Sequence, residues 1–302
     1  MVFGKLFKNR VQEEKPAPLS AAESQAILAT VGIRAIPSMP AAAQRAFELS
    51  TNPNAEARDF VEVIESDESM SARVLRVANS VFFDRGKPSK TIEEAVLVIG
   101  INEVRSLLSA NSLAEIFPSR HPSRTQLWMN DLACAIFSKM LAERSMPSKA
   151  DLAFLAGLMH DIGKLLLLQR LQDGYSKVLT ESGLKGTFIE AEEELYPFNH
   201  TQAGQLVGEK WNFSKEILFA IRYHHSPWEE IKGSVAGIVR AADTIAHALG
   251  IGHPRGYGKY QEIAKDSVLE ALSHNQIFEP NLKEFLERAE KTYALELDRY
   301  NV

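Results

Sequence analysis

From Ala21 onward, apolar side chains return every three or four residues, and sustained alternation with period two is missing. That spacing gives a helix one apolar stripe and gives a strand nothing to bury, so it predicts an all-α fold of many helices. Helix ends are marked along the chain. Ser20 and Glu23 have capping-box spacing, and Gly32 closes the helix they open. Phe60, Val61 and Ile64 line one helix, and Val74, Leu75 and Val77 line another. Thr91-Ile92-Glu93-Glu94 opens a further one that Gly100 ends, and residues 101–117 follow as one amphipathic helix. Later helices are predicted over 125–143, 149–171, 187–196, 200–211, 214–225, 235–249, 260–273 and 281–300. A Gly-bearing connection is expected at 174–186, and a loop at 252–258.

Composition narrows the function classes. The net charge of −5 gives no reason to expect nucleic-acid binding, which needs a basic face. No apolar run approaches the ~20 residues that span a bilayer, and the basic start lacks a leader's apolar core, so no membrane role and a cytoplasmic location are expected. Cys134 is the single cysteine, which excludes an intramolecular disulfide and a structural thiolate zinc site; its apolar neighbours predict an inert, buried thiol. Charges and two prolines in residues 8–20 predict a flexible arm at 1–20. His121-Pro122-Ser123 divides a helical subdomain at 21–118 from a second at 119–250, and residues 251–302 form a loop plus a C-terminal helical extension.

The second half carries the chemistry. Gly157-Leu158-Met159-His160-Asp161-Ile162-Gly163-Lys164 places an imidazole and a carboxylate side by side on a predicted helix, about 100° apart. Lys164, four residues beyond His160, falls on its face as a candidate anion contact. The dipeptide alone is equally explained by a buried, hydrogen-bonded pair. It has company: His200, the doublet His224-His225, and Asp243 lie on separate predicted helices. Three imidazole segments and two carboxylates make an N/O ligand set suited to one divalent iron, manganese or zinc ion, a kind of site that helix bundles build from facing helices. His247, one turn past Asp243, is read as structural.

The order His160-Asp161, His200, His224-His225, Asp243 resembles the HD superfamily of metal-dependent phosphohydrolases, and the run through Lys164 looks like its HD-GYP branch. Ile36-Pro37-Ser38-Met39-Pro40 and the stretch 64–80, ending in Val77-Ala78-Asn79-Ser80, are similar to the HDOD signature. So are residues 91–100, Trp211, and His224-His225-Ser226-Pro227. The resemblance covers roughly residues 28–245. It implies an HD-domain-like bundle with an N-terminal helical subdomain, and a metal set of His160, Asp161, His200, His224, His225 and Asp243.

The chain also departs from the hydrolase pattern. Asn130 stands where the hydrolases place a first histidine ligand and Gln126 where they place an acid; Asp131 is the alternative donor if the register slips by one. No acidic residue directly follows the His doublet, and a Gly-Tyr-Pro loop is lacking. HDOD domains are mostly regarded as non-hydrolytic output modules. The resemblance therefore implies a signal-transduction module that binds a regulatory protein or a small signalling ligand, with one residual metal ion and no catalytic residue. A metal-dependent phosphohydrolase or cyclic-dinucleotide phosphodiesterase is the alternative.

Overall fold

A computed structural model describes residues 16–32, 36, 38–39, 41–52, 54–80, 83, 86–114, 117–185, 187–254, 256–257 and 265–300. Among them every regular element is helical. The first half holds α1 (Ala21–Val31), α2 (Ala41–Thr51), α3 (Ala57–Glu65), α4 (Glu68–Ala78), α5 (Ile92–Ile99) and α6 (Ile101–Ala114). The second half holds α7 (Arg124–Ser145), α8 (Ala150–Met159), α9 (Ile162–Leu171), α10 (Tyr175–Lys185), α11 (Phe188–Leu195), α12 (His200–Lys210), α13 (Lys215–Tyr223), the single turn α14 (Trp228–Ile231) and α15 (Val235–Ala248). Helices α16 (Lys265–His274) and α17 (Leu282–Tyr300) close the chain.

Capping chemistry decides several boundaries as expected. Ser20 and Glu23 form a reciprocal capping box, and Gly32 ends α1 at φ +96°, a conformation that favours glycine. Thr91 and Ser214 cap α5 and α13 through their hydroxyls. Of the expected arm, residues 1–15 lie outside the described residues, as do Pro37 and Pro40 and residues 260–264 of the helix expected over 260–273. Pro16 is buried; the Ala17 N–H donates to the Tyr223 hydroxyl at 3.2 Å, and Gln205 Nε2 donates to the Ala17 carbonyl at 2.8 Å.

Two stretches fold differently from the periodicity. The helix expected over 149–171 is two helices, broken where Asp161 adopts φ −105°, ψ 16° and becomes the cap of α9. The apolar stripe runs through the break without interruption, so periodicity could not reveal it. The connection expected at 174–186 contains α10, because Tyr175, Val178, Leu179 and Ser182 have helical spacing and are all buried.

The core of the second half is α7, packed against α8 and α15. Its residues 130–138 are buried in succession, so the middle of this helix is enclosed on every side, apolar from Leu132 to Phe137 and polar at Asn130, Asp131 and Ser138. Helix α9 lies along α12, and α13 bridges α12 to α15. In the first half α2 and α6 pack together, with α3, α4 and α5 around them; α17 returns to touch α6 and α7.

Candidate metal centre

Glycine contacts bring the candidate ligands together. A Cβ on Gly163 would lie 1.9 Å from the His200 carbonyl oxygen and 2.8 Å from the Gly204 nitrogen, so the α9 and α12 backbones meet with no room for a side chain. The α8–α9 junction is thereby pressed against the first turn of α12. His160 and Asp161 sit at that junction, and His200 opens α12 behind the Asn199 cap. His224 and His225 follow the last residue of α13, and Asp243 projects from the middle of α15.

Asp161, His200, His224 and His225 each offer one donor atom, all within 4.8 Å of one another. Asp161 Oδ1 is 3.2 Å from His200 Nε2 and 3.6 Å from His224 Nε2, and His225 Nε2 is 3.2 Å from His200 Nε2. The first three residues are buried, while His225 is open to solvent on one side. The inner ring nitrogens are already committed. His200 Nδ1 lies 2.6 Å from Glu192 Oε2, and His224 Nδ1 lies 3.1 Å from the carbonyls of Ala220 and Ile221. Carbonyl oxygens only accept, so His224 Nδ1 carries the hydrogen and its Nε2 keeps the lone pair. Glu192, whose carboxyl burial pushes up to about 8, in its ionised form imposes the same tautomer on His200. Burial holds both rings neutral by lowering them below the ordinary histidine value. Burial raises Asp161, but the charges of His160 and Lys164 outweigh it and keep the carboxyl well below its usual range. Asp161 Oδ1 and His224 Nε2 are buried without a hydrogen-bond partner. Acceptor atoms gathered this way fit a divalent cation, and their N/O character suits iron, manganese or zinc.

The other side of Asp161 is different. Lys164, the expected anion contact, gives its ammonium to Asp161 Oδ2 at 2.5 Å and lies 4.2 Å from the centre of the Phe188 ring. His160 Nε2 is 3.3 Å from Asp161 Oδ2 and 3.7 Å from Asp243 Oδ1. Burial pulls His160 down, yet its anionic surroundings, with Asp161 foremost, hold it well above the ordinary value. Two cations thus face two carboxylates. Asn130 Nδ2 donates to Asp243 Oδ1 at 3.3 Å, and His247 Nε2 lies 3.4 Å from the same oxygen. Asp131, the neighbour of Asn130, forms a second close group with His160 and Asp161. Its oxygen approaches His160 Nδ1 at 4.0 Å, but that nitrogen is held by the Gly157 carbonyl at 2.7 Å. Burial pushes the Asp131 carboxyl up to about 8, and a protonated acid is a poor metal ligand. This second group fits a cation less well than the first.

Glu192 was not legible in the sequence as part of this centre. It lies in the acidic run Glu190-Ala191-Glu192-Glu193-Glu194, which has the composition of a solvated face. The one signal available is that Ala191 and Glu192 would share a side with Phe188, which faces inward.

Interior helices that converge on a histidine–aspartate cluster define a protein built on the HD-type scaffold. The HDOD domain model matches residues 36–227, and the chain belongs to the HDOD family. It is similar to the solved structure of an HDOD domain protein of unknown function from Geobacter sulfurreducens (TM-score 0.75, 20% identity, covering 92% of this chain and 99% of that one). A second, provisionally described as a signal transduction protein of Marinobacter aquaeolei VT8, gives TM-score 0.74 at 21% identity, covering 93% and 66%. A third, provisionally described as a phosphohydrolase of Shewanella amazonensis SB2B, gives 0.68 at 22%, covering 92% and 98%. The chain spans 41% of the length of a curated relative, an uncharacterised protein of Treponema pallidum (strain Nichols), which is 26% identical over 224 residues covering 70% of this chain. Likeness at these identities speaks for the fold.

Proposed function

We propose that this HDOD protein is a regulatory module of signal transduction that holds one divalent ion and does not hydrolyse phosphodiesters. Its output is the binding of a protein partner or a small signalling ligand, within the cytoplasm. Residues 119–250 serve as the metal-holding subdomain and residues 21–118 as its helical companion, with 251–302 as a loop and C-terminal helical extension. The single observation that carries the reading is the asymmetry around Asp161. Asp161 Oδ1 and His224 Nε2 lack hydrogen-bond partners, as do His160 Nε2 and both Asp131 oxygens, but only on the Oδ1 side are the facing groups neutral imidazoles that a cation would complete. On the Oδ2 side, Lys164 and His160 already balance Asp161 and Asp243, and Asn130 offers an amide N–H where the hydrolases place a histidine.

Phosphodiester hydrolysis by this kind of site asks for an activated water and for charge neutralisation on the phosphate, usually from two metal ions. A bound ion would supply Lewis acidity beside the exposed edge of His225. The chain's own residues leave the second position filled by a lysine ammonium and an imidazolium. Protein reconstituted separately with Mn²⁺, Fe²⁺ and Zn²⁺, and assayed on bis(p-nitrophenyl) phosphate and cyclic di-GMP, is expected to show no turnover above its His224→Ala variant. Metal-dependent turnover abolished by Asp161→Asn would favour the phosphohydrolase reading instead.

A further inference from the structure

Glu192 is buried, and its carboxylate meets three donors. Oε2 takes the His200 backbone N–H at 2.7 Å and His200 Nδ1 at 2.6 Å; Oε1 takes the Tyr175 hydroxyl at 2.8 Å. One oxygen thus holds both the main chain and the ring of the same residue. The first contact fixes where α12 begins, and the second fixes how the ring is turned. With Nδ1 donating to Glu192, the Nε2 lone pair of His200 faces Asp161 Oδ1 3.2 Å away. Phe188, one turn before Glu192 on α11, covers the Lys164 ammonium, so this helix supports the cluster from outside at two points.

We infer that Glu192, oriented by Tyr175, is a positioning residue that turns His200 so that its Nε2 is presented to a metal ion. The inference rests on the metal-holding reading of the Asp161–His200–His224–His225 cluster. Outer partners of metal-bound histidines fix the ring tautomer and raise its basicity, and their loss typically weakens metal binding by about 10- to 100-fold. Glu192→Gln keeps the shape and removes the charge, so it separates positioning from packing.

The test has two parts. In metal-free protein, nitrogen-15 NMR reads the His200 tautomer. The inference requires hydrogen on Nδ1, and finding it on Nε2 overturns the inference whether or not any variant folds. Co²⁺ titration, followed by the visible absorption of the bound ion, then compares wild type, Glu192→Gln, Tyr175→Phe and His224→Ala. Expected are binding by wild type, loss in His224→Ala, and an affinity about 10- to 100-fold weaker in Glu192→Gln with an altered spectrum and an unchanged urea midpoint. Tyr175→Phe should show a smaller weakening. Wild-type affinity and spectrum in Glu192→Gln would overturn the role of Glu192 while leaving the metal site standing. No binding by wild type would overturn the metal site and this inference together.

Discussion

A buried imidazole with one nitrogen fastened to the protein has only its other nitrogen free to bind a ligand, and those of His200 and His224 both lie beside Asp161 Oδ1. Lys164 is the countercharge on the other side of that carboxylate. Removing it in Lys164→Met leaves Asp161 Oδ2 without its ammonium partner, and loss of one member of a buried pair costs about 3–5 kcal/mol. Urea unfolding of metal-free protein should show that loss, and a change under ~1 kcal/mol would mean the ammonium contributes little. Cys134 is fully buried at the core of α7, so a thiol reagent should label it only under denaturing conditions. At this scale His160-Asp161, His200 and the His doublet were legible because few residue types bind metal and their order is distinctive. Glu192 was not, since its role depends on burial, and neighbouring acids with the same composition face water. Asn130 and Asp131 could be separated only by seeing which of them reaches Asp243.

At the scale of elements, close backbone contact is what makes the site. Gly163→Ala forces α9 away from α12, where the added Cβ would collide with the His200 carbonyl. Overpacking of this kind costs roughly 1–3 kcal/mol, sometimes more, and here it should also weaken metal binding by separating Asp161 from His200. Equal metal affinity in a folded Gly163→Ala variant would contradict that coupling. Helix α1 is tied to α12 through Glu23, which accepts from the Ser20 backbone at 2.8 Å and from Gln202 at 2.8 Å. Its hydrogen bonds, with Ser20 foremost, lower the carboxyl to about 2 from 4.5. A depressed folded value contributes stability that is complete above the unfolded value and lost as pH falls. Glu23→Ala should therefore cost about 1 kcal/mol at pH 7, and the difference should fade between about pH 4.5 and 2 in urea unfolding. Helix starts were legible wherever a side-chain cap announced them. The break at His160-Asp161 was hidden by an apolar stripe that continues across it, and α10 was hidden by the glycines at its two ends.

For the molecule as a whole, the all-α class followed from apolar spacing alone, whereas the family depended on motifs held in order over many separate helices. No helix among the described residues is long and apolar enough to cross a membrane. A ligand that binds only the folded chain stabilises it by mass action, about 2.7 kcal/mol at a concentration 100 times Kd. For a chain of 302 residues that corresponds to a rise in melting temperature of about 4 °C, absent in His224→Ala. The most direct test of the central claim is metal content by mass spectrometry on tag-free protein after reconstitution with Mn²⁺, Fe²⁺ or Zn²⁺, with His224→Ala measured beside it. The asymmetry around Asp161 predicts about one ion per chain, lost in the variant. No ion in the wild type, or about two, would contradict it.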